Sequence, residues 1–222
     1  MKPPVVVKCG GAVAVEAAEP ILALAQTESV VVVHGAGPQI SAEMVRRGLR
    51  VEFVGGRRVT TRAALEVVRE SMAEVNDALC AAIGDVALPL FGDTIGLKAA
   101  QVASLGLVGD PEPCAPETVV AALHEDLIPV VAPLATGPLN VNADEAAAAL
   151  AVGLGAERIL FLTDVPGVLH GGIVVPVVEA AEAAELLDAG AFEGGIVPKL
   201  RAAITAARLG VRAEIGETAV VA

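Results

Sequence analysis

The sequence contains no tryptophan and no tyrosine, and aromatic residues make up only 2% of its 222 positions. Proteins that bind single-stranded nucleic acid stack bases on aromatic side chains, so this chain has little with which to do so. Basic residues are also few, because 15 lysines and arginines stand against 27 aspartates and glutamates, for a formal net charge of −12. This balance argues against nucleic acid, an anionic membrane surface or an acidic carrier protein as a partner.

The cysteines are three in number and widely spaced, at Cys9, Cys80 and Cys114, and no CxxC or Cys/His cluster accompanies them. Neither a disulfide framework nor a zinc site is therefore indicated, and a reducing cytoplasm is the expected compartment. Long apolar runs are also missing. The run in MKPPVVVK is too short for a signal peptide, and no stretch of the sequence is long enough to cross a membrane.

Apolar, strand-like runs alternate with helix-like segments along the whole chain. Strands are predicted at Val5–Val7, Val30–Val33, Val86–Leu90, Pro129–Ala132 and Ile159–Leu162. Helices are predicted near Glu16–Gln26, Ile40–Arg47, Arg62–Ile83, Pro116–His124, Ala143–Leu154, Ala180–Asp188 and Pro198–Leu209. This alternation predicts an α/β fold with a mainly parallel sheet and helices on both faces. The FGDTIG segment is typical of a loop and could form a hairpin or lid, and the C-terminal residues are expected to form two short strands around Gly216.

The segment VVVVHGAGPQ, from Val30 to Gln39, carries the most information. Its valines are typical of a strand buried on both faces, and Pro38 marks the start of a helix just after a Gly-rich turn. Such a turn points backbone N–H groups at one spot, which favours an anion, most often a phosphate. The chain has no GxxxxGK[ST] and this turn has no GxGxxG, so it is neither a P-loop nor a dinucleotide fingerprint. Chemistry is expected at the carboxyl edge of the sheet, with a plain tight connection as the alternative.

Two other glycine pairs adjoin cations. In VVVKCGG, Lys8 ends a strand before Gly10 and Gly11, where its ammonium could neutralise a transferring phosphoryl group. A solvated lysine on an edge strand is the alternative. In VGGRRVTT, a hairpin-like arm would point Arg57 or Arg58 inward, where a guanidinium could grip a carboxylate. A solvated arginine pair is the better interpretation of that motif when it is considered alone.

Polar residues also follow a later extended segment, LNVNAD. Alternation places Asn140 and Asn142 on the same side, Asn142 can cap the helix that follows, and Asp144 lies in its first turn. Capping and the helix dipole would explain Asn142 and Asp144 without any function. They do not explain Asn140.

The last two motifs lie in the C-terminal part of the chain. The strand in LFLTDVPGVL ends at Thr163 and Asp164, and Asp164 could bind a ribose or an amino group or could simply be a turn residue. In EGGIVPK, Gly194 and Gly195 lead into a helix that carries Lys199 in its first turn. Because a cation is disfavoured at a helix N-terminus, Lys199 needs an anionic partner nearby.

Taken in order, the motifs K-x-GG, HGxGPQ, G-x-R-V-T, N-x-N-A-D, [ST]-D-V-x-G and GGxxxK resemble the amino-acid kinase family, and within it the acetylglutamate kinases. The resemblance covers nearly the whole chain. HGxGPQ, RVT and NVNAD separate this branch from carbamate, uridylate, aspartate and glutamate 5-kinases. The resemblance implies a three-layer αβα sandwich, with residues 1–137 as an N-terminal lobe for the amino-acid substrate and residues 138–222 as a C-terminal lobe for ATP.

The resemblance also implies an activity and a set of site residues. The reaction would be phosphoryl transfer from ATP, with Mg²⁺ held mainly by the phosphates, to the γ-carboxylate of N-acetyl-L-glutamate, the second step of arginine biosynthesis. Lys8 and Lys199 would flank the transferring group, and Asp144 would hold both lysines. Substrate-binding residues would be Ala36, Gly37, Arg58 and Asn140. Nucleotide-binding residues would be Gly10, Gly11, Thr163, Asp164, Gly194 and Gly195. A carboxylate nucleophile needs no general base, which agrees with the absence of a His or Cys dyad from the motifs.

Three features of the sequence depart from the family. Ala36 replaces the usual middle glycine of the HGGGPQ motif, and if that residue needs a positive φ, alanine would cost about 1 kcal/mol and shift an N–H group. The GDTIG loop is a poor match. The connection from His170 to Pro176 and the C-terminal segment are short, and the extra segments of the arginine-inhibited members are not found in this sequence. We therefore expect no inhibition by sub-millimolar arginine.

Two other functions stay open. A sister kinase could act on another acylated amino acid, including one attached to a carrier protein, although the acidic net charge counts against a carrier. A non-catalytic sensor of nucleotide or amino acid is the second, and the presence of Lys8, Asp144 and Lys199 together counts against it.

An apolar stripe follows the predicted helix Arg62–Ile83 at helical spacing. Its members are Leu65, Val68, Met72, Val75 and Leu79. Such a stripe is typical of a core or of a dimer face, and the core is favoured for most of it. A homodimer is expected by family analogy alone.

Overall fold

The computed structural model describes residues 2–163 and 165–222. The strands within them are β1 Val5–Cys9, β2 Val30–His34, β3 Phe53–Val54, β4 Arg57–Arg58, β5 Ala87–Phe91, β6 Ala99–Gln101, β7 Val108–Pro111, β8 Ile128–Ala132, β9 Leu134–Ala135, β10 Leu139–Val141, β11 Arg158–Phe161, β12 Leu169–His170, β13 Ile173–Val174, β14 Val177–Glu179, β15 Arg212–Ile215 and β16 Thr218–Val221. The helices are α1 Ala18–Ala25, α2 Gly37–Arg46, α3 Arg62–Ile83, α4 Glu117–His124, α5 Ala143–Gly153, α6 Ala180–Asp188 and α7 Ile196–Arg208.

The central sheet has eight strands in the order β14-β16-β15-β11-β1-β2-β8-β5. Its neighbouring strands are parallel apart from β15 and β16, which form an antiparallel pair around Gly216. Helices α1–α3 pack on one face of this sheet and α4–α7 on the other. The predicted three-layer αβα sandwich is therefore confirmed, as is the predicted pair of C-terminal strands. The lobe boundary at residue 137 stays a prediction, since the sheet runs continuously from β2 through β1 to β11.

Strand alternation decides which side chains reach which layer. In β1, Val5 and Val7 pack among residues of α1–α3, whereas Val6 packs among residues of α4–α7. Because side chains alternate with a period of two, Lys8 points to the same side as Val6, toward α5. By the same rule, His34 at the end of β2 points to the opposite side, toward α3.

A second sheet was not predicted. It contains four short strands in the order β6-β7-β10-β9. The FGDTIG segment does not form a hairpin, because Phe91 ends β5, residues 92–96 make tight turns, and β5 and β6 belong to different sheets. A lid at this segment stays a prediction. Gly92 allows the close approach here, since a Cβ on it would lie 2.1 Å from the carbonyl oxygen of Leu134. Leu97 then anchors the turn, fully buried.

Helix bounds match the sequence prediction for α3 and α6, and two other helices begin earlier than predicted. Helix α2 begins at Gly37 rather than at Ile40, and α7 begins at Ile196 rather than at Pro198. The apolar stripe of α3 is buried in the core of the chain. Among the helices that the structure describes, none is both long and apolar enough to span a membrane.

Candidate active site

A cleft of about 250 Å³ opens at the carboxyl ends of β1, β2 and β10. The structure brings together here eight of the residues singled out from the sequence. They are Lys8, Gly10, Gly11, Ala36, Gly37, Arg58, Asn140 and Asp144. The carboxyl edge of the parallel sheet is therefore where the motifs meet, although they are distant in sequence.

A buried ion pair lies at the base of this cleft. Lys8 Nζ is 2.9 Å from Asp144 Oδ1, and the two side chains are only 8% and 7% exposed. Asp144 lies in the first turn of α5, whose N-cap Asn142 accepts hydrogen bonds from the backbone N–H groups of Asp144 and Glu145 at 2.8 and 3.2 Å. The ammonium of Lys8 has three N–H donors, so it can bind an anionic ligand in the cleft while it stays paired with Asp144.

Two helices begin at the cleft, α2 at Gly37 and α5 at Ala143. The first N–H groups of α2 have no side-chain cap, so this terminus favours an anion, whereas Asn142 already accepts from two of the first N–H groups of α5. The two glycine turns are also fastened to each other: Gly35 N donates to Cys9 O at 2.9 Å, and Gln39 Nε2 donates to Gly11 O at 2.8 Å. A Cβ on Gly11 would lie 2.5 Å from Gly35 O, so the contact requires glycine there.

Ala36 does not adopt the positive φ that would strain an alanine at this position of the motif. Its backbone has φ −143° and ψ 26°, so φ is negative, and it serves as the N-cap of α2. The condition under which alanine would be costly, a positive φ, is therefore not met at this position.

Arg58 is a buried cation with neutral partners. Its Nη2 donates to Gly37 O at 3.0 Å and to Ser41 Oγ at 2.8 Å, while Nη1 lies 3.4 Å from Met44 Sδ. The guanidinium also lies over the ring of Phe53, 4.5 Å from its centroid. Burial lowers the pKa of Arg58 from its usual value. No carboxylate among residues 2–163 and 165–222 pairs with this charge, so it is available to an anionic ligand.

The hairpin β3–β4 that carries Arg58 is held against α5. Arg57 Nε lies 3.0 Å from both carboxylate oxygens of Glu145, and its Nη2 lies 2.6 Å from Asp110 Oδ1. Asn142 Nδ2 donates to Gly56 O at 3.4 Å. Sequence analysis indicated that one arginine of the pair would point inward, and the structure identifies it as Arg58.

His34, in the HGAGPQ motif, lies on the far side of the sheet from Lys8. It is fully buried, and its Nε2 is 3.0 Å from Asn76 Nδ2, which also donates to Val130 O. Burial lowers the pKa of His34 to about 4, so the ring is neutral at pH 7. This histidine joins α3 to β2 and β8, and its role is structural.

A second cavity, of about 420 Å³, lies beyond the end of β11. Thr163, Gly195 and Lys199 line it, and Lys199 Nζ donates to Gly195 O at 3.2 Å. Gly194, in the turn before α7, has φ 69°. Since β11 is the parallel neighbour of β1, with Phe161 opposite Lys8, the two cavities open from adjacent strands at the same sheet edge.

Lys8 and Lys199 line different cavities, so the structure does not bring all three predicted catalytic residues together in one cleft. The prediction that Asp144 also holds Lys199 stays a prediction. Asp164 lies outside the described residues. In the part of the chain that is described, no group of three or more His, Cys, Asp or Glu is placed to hold a metal ion.

Sequence reasoning missed Ser41, Thr60 and Glu145. Ser41 and Thr60 contact Arg58 and Asn140, and Glu145 pairs with Arg57. Serine and threonine are common in helices and turns, so their residue type gives no signal. Only the position of Thr60 in the motif RVT could have indicated it.

The chain is similar to known proteins in both sequence and fold. The model of the amino acid kinase family matches residues 3–216. Acetylglutamate kinase from Dinoroseobacter shibae is 39% identical over 196 residues, which cover 83% of this chain and 68% of that protein. Acetylglutamate kinase from Roseiflexus castenholzii is 41% identical over 193 residues, covering 82% and 74%.

Solved structures share the fold. The protein smu.665 from Streptococcus mutans has a TM-score of 0.87 at 26% identity, over 100% of this chain and 99% of that one. Carbamate kinase from Giardia lamblia bound to AMP-PNP has a TM-score of 0.75 at 16% identity, over 99% and 98%, which is a likeness of fold alone. Because the family model matches residues 3–216 and the chain is 39% and 41% identical in sequence to the two acetylglutamate kinases, this chain belongs to the amino acid kinase family and is a kinase.

Proposed function

We propose that the chain phosphorylates the γ-carboxylate of N-acetyl-L-glutamate with MgATP, giving N-acetyl-L-glutamyl 5-phosphate, as in the second step of arginine biosynthesis. The observation that carries the proposal is the buried guanidinium of Arg58, whose partners are neutral, in the same cleft as the Lys8–Asp144 pair. A buried cation needs an anion, and a substrate with two carboxylates can supply one to Arg58 and place the other near Lys8. The relatives named acetylglutamate kinase support this choice of substrate.

At the binding end, Arg58 takes the α-carboxylate and Asn140 contacts the amide. Asn140 is 8% exposed and lines the cleft, so its amide group meets a ligand rather than bulk water. The backbone of Ala36 and Gly37, at the start of α2, adds N–H donors for the reacting carboxylate and phosphoryl oxygens. Binding at both ends of the substrate sets the distance of its γ-carboxylate from the donor.

At the reacting end, a γ-carboxylate oxygen attacks the γ-phosphorus of ATP. A new P–O bond forms, the bond to the β–γ bridging oxygen breaks, and its electron pair leaves with ADP. Lys8 and the N-terminus of α2 stabilise the charge on the transferring group, and Asp144 holds the ammonium of Lys8 in place. The attacking carboxylate is already ionised, so no residue of the chain has to remove a proton.

The nucleotide occupies the second cavity, which Thr163 and Gly195 line, and Asp164 and Gly194 are assigned to it as well. Its phosphates extend from there to Gly10 and Gly11, which line the first cleft. The larger volume of the second cavity and its place on the strand next to β1 support this assignment. Lys199 then approaches the phosphates from the side opposite Lys8. The magnesium ion enters with ATP and is held mainly by the phosphates in this proposal.

The proposal extends to the assembly and the compartment: a cytoplasmic homodimer that acts on small molecules and engages neither nucleic acid nor membrane. Gel filtration with light scattering tests the dimer. A mass near twice 22.2 kDa supports it, and the monomer mass contradicts it.

A hydroxamate assay for acyl phosphate tests the substrate. The purified chain is incubated with MgATP and N-acetyl-L-glutamate, free L-glutamate or N-acetyl-L-aminoadipate. We expect product with N-acetyl-L-glutamate alone, and loss of at least about 100-fold in Lys8→Ala and Asp144→Ala, because each removes a charge at the reacting centre. Product with another substrate in preference would support a sister kinase. ATP binding without product from any substrate would support a sensor.

A further inference from the structure

Thr60 is fully buried and is fixed by its backbone between the β3–β4 hairpin and the second sheet. Its N–H donates to Leu105 O at 2.9 Å, and its carbonyl accepts from Leu107 N at 2.8 Å. It also forms a parallel bridge with Gly106. The side chain of Thr60 therefore starts from a position that the surrounding structure determines.

The hydroxyl of Thr60 joins two residues of the candidate substrate site. Its Oγ1 donates to Arg58 O at 2.7 Å and accepts from Asn140 Nδ2 at 3.0 Å. A hydroxyl has only one proton to donate. Because that proton is used on the carbonyl of Arg58, the hydroxyl can only accept from Asn140, and the NH₂ end of this amide must face Thr60.

The orientation of Asn140 follows from this chain of hydrogen bonds. With Nδ2 bound to Thr60, the atom left for a ligand in the cleft is Oδ1, which is only an acceptor. Among the described residues, Oδ1 has no hydrogen-bond partner of its own. The cleft thus presents a cation at Arg58 and an acceptor at Asn140.

We infer that Thr60 is a positioning residue, which orients the amide of Asn140 so that the site selects substrates that donate an N–H at that point. The inference rests on the proposed function and deepens it, because it names what distinguishes an N-acylated amino acid from its oxygen analogue. The amide N–H of an acylated amino acid fits the acceptor of Asn140. An ester oxygen at the same place would put two acceptors against each other.

The test compares N-acetyl-L-glutamate with (S)-2-acetoxyglutarate, in which an ester oxygen replaces the N–H. In the unmodified chain we expect the amide to be preferred in kcat/KM by about 100-fold, since a site built for a donor rejects the analogue that lacks it. Thr60→Val, which keeps the shape but removes the hydroxyl, is expected to reduce that preference at least 10-fold, because Asn140 can then turn its NH₂ to the ester. Thr60→Ser keeps the hydroxyl and is expected to restore the preference.

Thr61→Val is the matched control, because Thr61 caps α3 by accepting from Ala64 N and takes no part in the cleft. It is expected to lower the melting temperature while leaving the preference unchanged. If Thr60→Val does not fold, Thr60→Ala is measured in its place against the same expectations. A preference in the folded Thr60 variant equal to that of the unmodified chain would overturn the inference.

A ligand-free measurement separates this inference from the proposed function. The side-chain NH₂ protons of Asn140, identified by their loss in Asn140→Asp, are followed by NMR. We expect slow exchange with solvent in the unmodified chain and in Thr60→Ser, and at least 10-fold faster exchange in Thr60→Val. Unchanged exchange would refute the positioning role. Absence of turnover with both compounds in the unmodified chain would instead refute the proposed substrate.

Discussion

At the scale of single residues, two adjacent arginines have opposite electrostatic surroundings. Arg57 is paired with Glu145 and Asp110, whereas Arg58 contacts only neutral groups among the described residues. A paired arginine fastens one element to another, and a buried, unpaired one costs stability until a ligand arrives. This contrast is the basis for assigning Arg57 to the scaffold and Arg58 to the substrate.

This contrast predicts that replacing each arginine by methionine affects the free energy of unfolding differently. Arg57→Met is expected to lower the free energy of unfolding by about 1 kcal/mol, because partly exposed ion pairs are lost and Glu145 keeps its burial. Arg58→Met is expected to leave stability unchanged or raise it by about 1 kcal/mol, while weakening N-acetyl-L-glutamate binding about 100-fold. Urea unfolding and titration calorimetry measure the two quantities. A larger loss of stability in Arg58→Met than in Arg57→Met would contradict the assignment.

His34 predicts a dependence of stability on pH. Burial lowers its pKa from 6.5 to about 4, so as the pH falls below 6.5 the unfolded chain takes up a proton before the folded chain does. The contribution of His34 to the free energy of unfolding is therefore fully present above about pH 6.5. It is lost as the pH falls toward 4 and changes little below that. The loss is about 3 kcal/mol.

Urea unfolding between pH 7 and pH 4 tests this prediction. In His34→Gln, the decrease in unfolding free energy over that range is expected to be smaller than in the unmodified chain by about 3 kcal/mol. His124→Gln is the control, because His124 is exposed at the end of α4. If the unfolding free energies of His34→Gln and of the unmodified chain decreased by the same amount between pH 7 and pH 4, His34 would not be a buried neutral histidine.

At the scale of elements, the cleft depends on the contact between the turn after β1 and the turn after β2. Gly11→Ala is expected to lower the free energy of unfolding by about 1–3 kcal/mol and to separate the turns, because its Cβ would lie 2.5 Å from Gly35 O and 2.7 Å from Ala36 Cα. Gly37→Ala is the control for stability, since a Cβ there meets nothing within 4 Å. Calorimetric melting of both variants checks the prediction, and equal melting temperatures would contradict it.

The elements also show what the sequence could and could not predict. Long, periodic segments such as α3 and the valine strand β2 were predicted because each buries a regular pattern of apolar residues. The second sheet was missed because its strands have only two to four residues, too few for a pattern to emerge.

Some residues of the candidate site could likewise be predicted from the sequence, and others could not. Asn140 was singled out because neither capping nor the helix dipole explains it, whereas Lys8 and Arg58 were assigned to the site by the order of motifs that resembles the family. Thr60 was missed because its importance depends on tertiary hydrogen bonds to two segments far away in the chain. No local pattern records such contacts.

At the scale of the whole molecule, the two cavities lie side by side because β1 and β11 are parallel neighbours. Residues far apart in sequence, at the ends of these strands, therefore meet at one sheet edge, as expected for an α/β fold. In our account the first cavity holds the acceptor, the second holds the donor, and the γ-phosphoryl group passes between them beside Lys8.

The most direct test of this account follows the oxygen of the acceptor. The chain is given MgATP and N-acetyl-L-glutamate labelled with ¹⁸O in both γ-carboxylate oxygens, and hydroxylamine traps the product by attacking its carbonyl carbon. We predict one ¹⁸O atom in each inorganic phosphate released, seen by ³¹P NMR, and no such phosphate with Lys8→Ala. ATP consumption that yields only unlabelled phosphate would mean that water is the acceptor, and the account would be wrong.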